Sequence, residues 1–251
     1  MRSSAVAAGH SPSAQQGTVE VRREGDVAIV TLCRERKRNA LSTHLEARLL
    51  EALRSDAVAG SRAVVITGGD QAFSAGADVT ELRDMTPAAI AEYYRASGAV
   101  YEVVADLPMP TVAAVAGYCL GGGLELALAA DFRVADTTAV FGFPEVGLGI
   151  LPSSGGVTRL VRSMGPDRAR DLVLRGRRFD PALAERWGLI TEIAPAGEHL
   201  PRALAIAKEL AALPPLAVRI TNQVIDAAAE SSHRTALLLE QLAYAALNRA
   251  D

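Results

Sequence analysis

The sequence predicts an α/β fold in which short strands alternate with helices and a helical region follows, and two observations carry that reading. Between residues 18 and 135, short runs of apolar or alternating character recur between stretches of helical period. Beyond Pro152 the period is helical almost throughout, and only residues 189–193 read as a strand.

The elements follow in order. Residues 18–32 (TVEVRREGDVAIVTL) hold two alternating runs around Gly25-Asp26, which predicts a β-hairpin. After a basic loop, Ser42 heads a helical pattern that runs to about residue 58. Residues 63–67 (AVVIT) form an apolar run bounded by Gly68-Gly69, the pattern of a buried strand. A helix is expected after Pro87, a strand at 111–116, a helix at 122–130 and a strand at 132–135. Residues 154–164, 167–175, 181–187, 199–212 and 215–249 are helical in period. The first 17 residues are small, polar and aperiodic, so they are expected to form a disordered arm rather than a signal or transit peptide. With no Pro, Gly or Ser-rich linker and no repeat, residues 18–251 are expected to form a single domain, with a core over 18–196 and a helical region over 197–251.

Composition narrows the possible functions. The 251 residues carry a formal charge of -3 and only 4% aromatic residues, which argues against nucleic acid or an anionic membrane as partner. Two cysteines, Cys33 and Cys119, are too few for a disulfide framework or a zinc cluster, and a reducing, cytoplasmic setting fits them. The four histidines, at 10, 44, 199 and 233, lack metal-ligand spacing. No apolar run is long enough to span a bilayer.

Three segments carry chemistry. In the first, Phe73 to Asp78 (FSAGAD), small residues precede a helix start, and the bare amide of Ala77 is a candidate donor to an anion or carbonyl oxygen. Asp78 and Glu81 form a D-x-x-E pair of the kind that caps a helix. A tight turn that uses Gly and Ala for steric reasons explains the same residues. In the second segment, three glycines at 121–123 stand at a strand-to-helix junction, where amides can be aimed at a ligand. Glu125 follows in a helix that is apolar on all sides, so its carboxyl group is either catalytic or held by the dipole of its own helix. The third segment, residues 141–152 (FGFPEVGLGILP), sets one acid, Glu145, in an apolar loop. Low dielectric there raises a carboxyl pKa and suits proton transfer near neutral pH, unless the residue is an ordinary exposed glutamate.

Together, Asn39-Ala40-Leu41, FSAGAD, GYCLGGGLELA, FGFPEVGLGILPSSGG and AERWGLI resemble the enoyl-CoA hydratase/isomerase, or crotonase, superfamily, in the same order over roughly residues 18–245. The resemblance implies a spiral of ββα units and C-terminal helices that support a homotrimer or a homohexamer. It implies an acyl-CoA substrate whose carbonyl oxygen is gripped by the amides of Ala77 and Gly122. Glu125 and Glu145 then act as the two acids of a hydratase, one on the attacking water and Glu145 on the C2 proton. By the same analogy Arg36, Ala40, Ala75 and Asp78 contact coenzyme A, which enters as part of the substrate, and no separate cofactor is expected. Ser153 departs from the family pattern where many hydratases have glycine, Arg34-Glu35 replaces a common Arg-Pro pair, and the sequence stops before a terminal helix that many relatives carry.

Two other classes stay open on the residues alone. Gly117-Tyr118-Cys119-Leu120-Gly121 fits a nucleophile elbow, with Asp171 and His199 following in the order of an α/β-hydrolase. A non-catalytic acyl-CoA binder would keep the same amide seat. Within the resembled family, isomerisation is the alternative to hydration.

Overall fold

A computed structural model describes residues 16–83 and 85–248, so most of the expected N-terminal arm and the last residue of the 215–249 helix lie outside the described residues. The predicted hairpin forms as β1 (Thr18–Glu24) and β2 (Val27–Cys33), paired antiparallel with Glu24 opposite Val27. From β2 onward the large sheet is parallel, in the order β1-β2-β3-β5-β7-β9, with β3 (Ala63–Thr67), β5 (Thr111–Val115), β7 (Phe132–Asp136) and β9 (Glu192–Ala194). Both faces of this sheet are covered, which is why its central strands are apolar without interruption. Val64 and Ile66 face one core together with Ala28 and Val30. Val27, Ile29, Ala63 and Val65 face the other, against Ala203, Leu204 and Ala207 of a C-terminal helix.

A second sheet makes the fold a spiral. Its strands β4 (Ala72–Ser74), β6 (Tyr118–Leu120) and β8 (Val140–Gly142) are three residues each and run parallel in that order. Each follows a strand of the large sheet, so the chain climbs one turn with every pair of strands and the helix after it. Side-chain alternation is illegible over three residues, so in sequence these segments look like loops and junctions.

The helices are α1 (Thr43–Leu53), α2 (Asp56–Ala59), α3 (Val79–Arg83), α4 (Pro87–Ala105), α5 (Gly122–Ala129), α6 (Gly156–Met164), α7 (Pro166–Arg175), α8 (Pro181–Arg186), α9 (His199–Ala211), α10 (Pro215–Glu230) and α11 (His233–Leu247). Two expected helices are each divided. The 42–58 pattern breaks at Arg54-Ser55 into α1 and α2, and the long C-terminal pattern breaks at Ser231-Ser232, where the Ser232 hydroxyl caps α11 by accepting from the Thr235 amide. The last strand starts at Glu192 rather than 189, because the Leu189 amide still donates to Ala184 O and closes α8. No helix among the described residues is long and apolar enough to cross a membrane.

Candidate active site

The site is assembled where the hairpin end, the β4–α3 loop and the start of α5 meet. Asn39 ties the first two together. Its side-chain amide donates to Gly68 O and Ala72 O, both at 2.8 Å, and its Oδ1 accepts from the Arg34 amide at 2.7 Å. Leu41 and Ala77 then form a parallel bridge. Leu41 N donates to Gly76 O and Asp78 N donates to Leu41 O, both at 2.8 Å, so Ala77's neighbours make the bonds to Leu41 and its own amide faces the other way. Among the described residues the amides of Ala77 and Gly122 have no acceptor. The two positions adjoin, since a Cβ on Gly122 would stand 3.6 Å from Ala77 N.

The glycine triplet is explained by what approaches it. Gly121 caps α5 at φ 51°, and a Cβ there would lie 2.7 Å from Glu145 Oε1. At Gly122 a Cβ would meet the Tyr101 hydroxyl at 3.0 Å. Only bare backbone lets a carboxylate, a phenol and two amides share this corner.

Glu125 lies in the first turn of α5, a helix buried along its whole length. The hydrogen bonds that hold its side chain come from outside that helix. Glu125 Oε1 accepts from Ser154 N and Gly156 N, both at 2.8 Å, and Gly156 is the first residue of α6. The positive end of a different helix therefore faces this carboxylate. Burial pushes its pKa up, and the backbone bonds from Gly156 and Ser154 pull against that rise.

Glu145 opens a short 3-10 turn, Glu145–Leu148, and is 8% exposed, so the reading as an ordinary surface glutamate fails. Its Oε2 is buried with no hydrogen-bond partner among the described residues. Burial, with the nearby charge of Glu125 adding to it, raises its pKa to about 7. A carboxyl group of this kind holds or gives up a proton near neutrality.

Ala77, Gly122, Glu125 and Glu145 line one cavity, together with Tyr93, Tyr101, Ile150, Leu151, Ser153 and Ser154. Its volume of about 30 Å³ admits a water molecule or two and no acyl chain. The two tyrosines escaped the sequence reading, although they lie eight residues apart on α4 and so nearly on one face. The expected coenzyme A contacts fall on two loops, Arg36 and Ala40 between β2 and α1 and Ala75 and Asp78 between β4 and α3. Arg36 is exposed on the 3-10 turn Glu35–Lys37, Ala75 is half-buried, and Ala40 is buried with its carbonyl bonded to the Arg34 guanidinium at 2.8 Å. Asp78 is enclosed, paired with Arg34 at 2.8 Å and bonded to the Thr80 hydroxyl. Glu81 does not complete a capping box with Asp78. It caps α1 instead, accepting from the Thr43 amide at 2.9 Å.

The hydrolase alternative does not assemble. Cys119 is fully buried, its thiol pKa is pushed well up by burial, and its Sγ faces Gly123 O. Asp171 holds Arg175 and Arg177, and His199 sits beside Asp136.

A spiral of ββα units that brings two acids and two unbonded amides to one cavity defines a protein of crotonase fold. The chain belongs to the enoyl-CoA hydratase/isomerase family, whose model matches residues 22–251. It is 41% identical over 229 residues to the probable enoyl-CoA hydratase echA8 of Mycobacterium tuberculosis, covering 89% of this chain and 87% of that one. The crystal structure of an enoyl-CoA hydratase from Bacillus anthracis superposes with a TM-score of 0.88 at 34% identity, covering 93% of this chain and 92% of the other. The crystal structure of a putative enoyl-CoA hydratase from Thermobifida fusca in complex with CoA gives a TM-score of 0.86 at 27% identity, covering 96% of this chain and 97% of the other.

Proposed function

We propose that the chain hydrates trans-2-enoyl-CoA thioesters to 3-hydroxyacyl-CoA. The observation that carries this reading is the pair of buried carboxyl groups, Glu125 and Glu145, on one water-sized cavity beside the amides of Ala77 and Gly122. The thioester oxygen sits between the two amides, which draw charge from the conjugated double bond and stabilise the enolate by about 3 kcal/mol per donor. Glu125, with Oε1 pinned by two amides, keeps Oε2 to orient a water and take its proton as the oxygen bonds to C3. The π electrons move onto the C1–C2 unit, and Glu145 delivers its proton to C2. One water is added across C2 and C3, and transfer of the proton from Glu125 back to Glu145 resets the site. Each positioned transfer contributes on the order of 10² to 10⁴ in rate.

Coenzyme A enters as part of the substrate, and the Thermobifida relative's complex with CoA supports that choice of ligand. Arg36 is an exposed cation suited to a phosphate, and Ala75 offers backbone to the adenine end. The acyl chain enters by displacing Ile150 and Leu151, which are 41% and 62% exposed and close the cavity. The exposed apolar side chains Ile225, Leu237, Leu238 and Leu242 on α10 and α11 form the surface for a homotrimer or homohexamer.

A panel of enoyl-CoA thioesters assayed with wild type, Glu125→Gln and Glu145→Gln tests the reading. Both variants lose at least about 10² in kcat while acyl-CoA binding persists. Full activity in either removes that acid from the mechanism.

A further inference from the structure

A third buried acid lies behind the cavity, unused by the mechanism above. Glu46 sits in the first turn of α1 and is 5% exposed, so it is not an ordinary solvated helix-start glutamate. Its carboxyl group meets two phenols of α4. The Tyr101 hydroxyl lies 3.5 Å from Glu46 Oε1, and the Tyr93 hydroxyl also bonds to the Glu46 carboxyl. Both tyrosines line the cavity, and Glu46 stands behind them.

The position of Tyr101 gives this contact its consequence. Its hydroxyl stands 3.0 Å from where a Cβ on Gly122 would be, beside one of the two unbonded amides. It also shares the cavity wall with Ser154, whose own amide holds Glu125 Oε1. A chain of contacts therefore runs from Glu46 through Tyr101 to Ser154 and Glu125. We propose that Glu46 is a positioning residue that acts through the Tyr101 hydroxyl, which it holds between the Gly122 amide and the Ser154 turn that orients Glu125.

Glu46 suits this task because it is an acceptor that stays in place. The charged groups that face it are the like charges of Glu81 on α3 and Glu125 on α5, and Tyr93 and Tyr101 face it from α4. Burial is the main reason its pKa rises to about 7, so near neutrality it is partly protonated and can donate to one phenol as well as accept from the other. Tyr101 remains a neutral phenol, its pKa pushed well above the usual value by burial. A leucine at position 46 would fill the space and leave both hydroxyls without this partner.

The inference rests on the hydratase reading, and the experiment separates the two. Hydration of a short trans-2-enoyl-CoA is compared for wild type, Glu46→Gln, Glu46→Leu, Tyr101→Phe and the Glu46→Leu/Tyr101→Phe pair. Glu46→Leu lowers kcat about tenfold with KM changed by less than about threefold, because it loosens the reacting groups more than the substrate seat. Glu46→Gln, which keeps an acceptor, recovers most of the loss. The double variant is no slower than the slower single variant, since both changes break one chain of contacts. In parallel, the infrared carbonyl band of protonated Glu46 is identified at pH 6 by its loss in Glu46→Gln, and it moves in Tyr101→Phe. Unchanged kcat in Glu46→Leu, losses that multiply in the double variant, or a band indifferent to Tyr101→Phe would each overturn the proposal. Should the wild type hydrate no enoyl thioester, the functional reading fails, and the Glu46–Tyr101 link is judged on the band alone.

Discussion

Glu125 and Glu145 are held in opposite ways, and their expected titration follows from that difference. Glu125 has one oxygen fixed by two amides at 2.8 Å, whereas Glu145 has a buried oxygen with no partner among the described residues. Burial raises the Glu145 pKa to about 7, so its proton is present below that value and lost as pH rises through it. Hydration that draws on this proton has a kcat/KM that falls on the alkaline side of about pH 7. A pH–rate profile checks this, and an alkaline limb that survives in Glu145→Gln would assign it to another group. Position 156 gives a second test at this scale. A Cβ there would lie 2.7 Å from both Cγ and Oε1 of Glu125, so Gly156→Ala displaces the carboxylate from its amides. A drop of about 10²-fold in kcat is expected, read from steady-state kinetics with circular dichroism unchanged.

The short elements that frame the site depend on side chains reaching across the chain. Asn39 is 1% exposed, adopts φ 52°, and makes three side-chain bonds that join the hairpin end to the β3–β4 turn. Asparagine tolerates that backbone region better than alanine. Asn39→Ala therefore loses about 3 kcal/mol of stability, at about 1 kcal/mol per bond, which urea unfolding measures. A loss under about 1 kcal/mol would mean that other contacts hold the β4–α3 loop. The same reach explains why Glu81 serves α1 rather than its own helix, for the Thr43 amide is within 2.9 Å of it. Caps of this kind join segments far apart in sequence, and a local D-x-x-E pattern does not reveal which helix start a carboxylate will satisfy.

For the whole molecule, burying acids sets how stability depends on pH. Glu46, Glu125 and Glu145 all have pKa values raised mainly by burial, to about 7 for Glu46 and Glu145. A carboxyl group that binds its proton more tightly when folded contributes stability that is full below its unfolded pKa and lost as pH rises through the folded one. Stability from these groups therefore declines between the ordinary glutamate range and about pH 7. Asp78 acts in the opposite sense. Its burial is outweighed by bonds from Thr80 and Arg34, so its pKa is lowered and its contribution disappears as pH falls through that lowered value. Thermal unfolding of Glu46→Gln and Glu145→Gln at pH 8 checks the first effect. Both melt above wild type there and converge with it near pH 5, and a wild type that gains stability from pH 5 to pH 8 would contradict the expectation.

The sequence by itself determined the elements whose signals are local. Continuous apolar runs gave the strands of the large sheet, the Gly25-Asp26 turn gave the hairpin, and spaced motifs gave the family and the pair Glu125 and Glu145. The tertiary structure decided what depends on neighbours distant in sequence. Strands β4, β6 and β8 are too short to show a period and exist because they pair with one another. Ser154 and Gly156 hold Glu125 across about thirty residues of sequence, and Glu46 reaches Tyr101 across α1 and α4. Backbone amides carry no side-chain identity, and a buried glutamate in a helix looks like a solvated one until its surroundings are known. The arrangement of this site therefore became legible only once the spiral had brought those groups together.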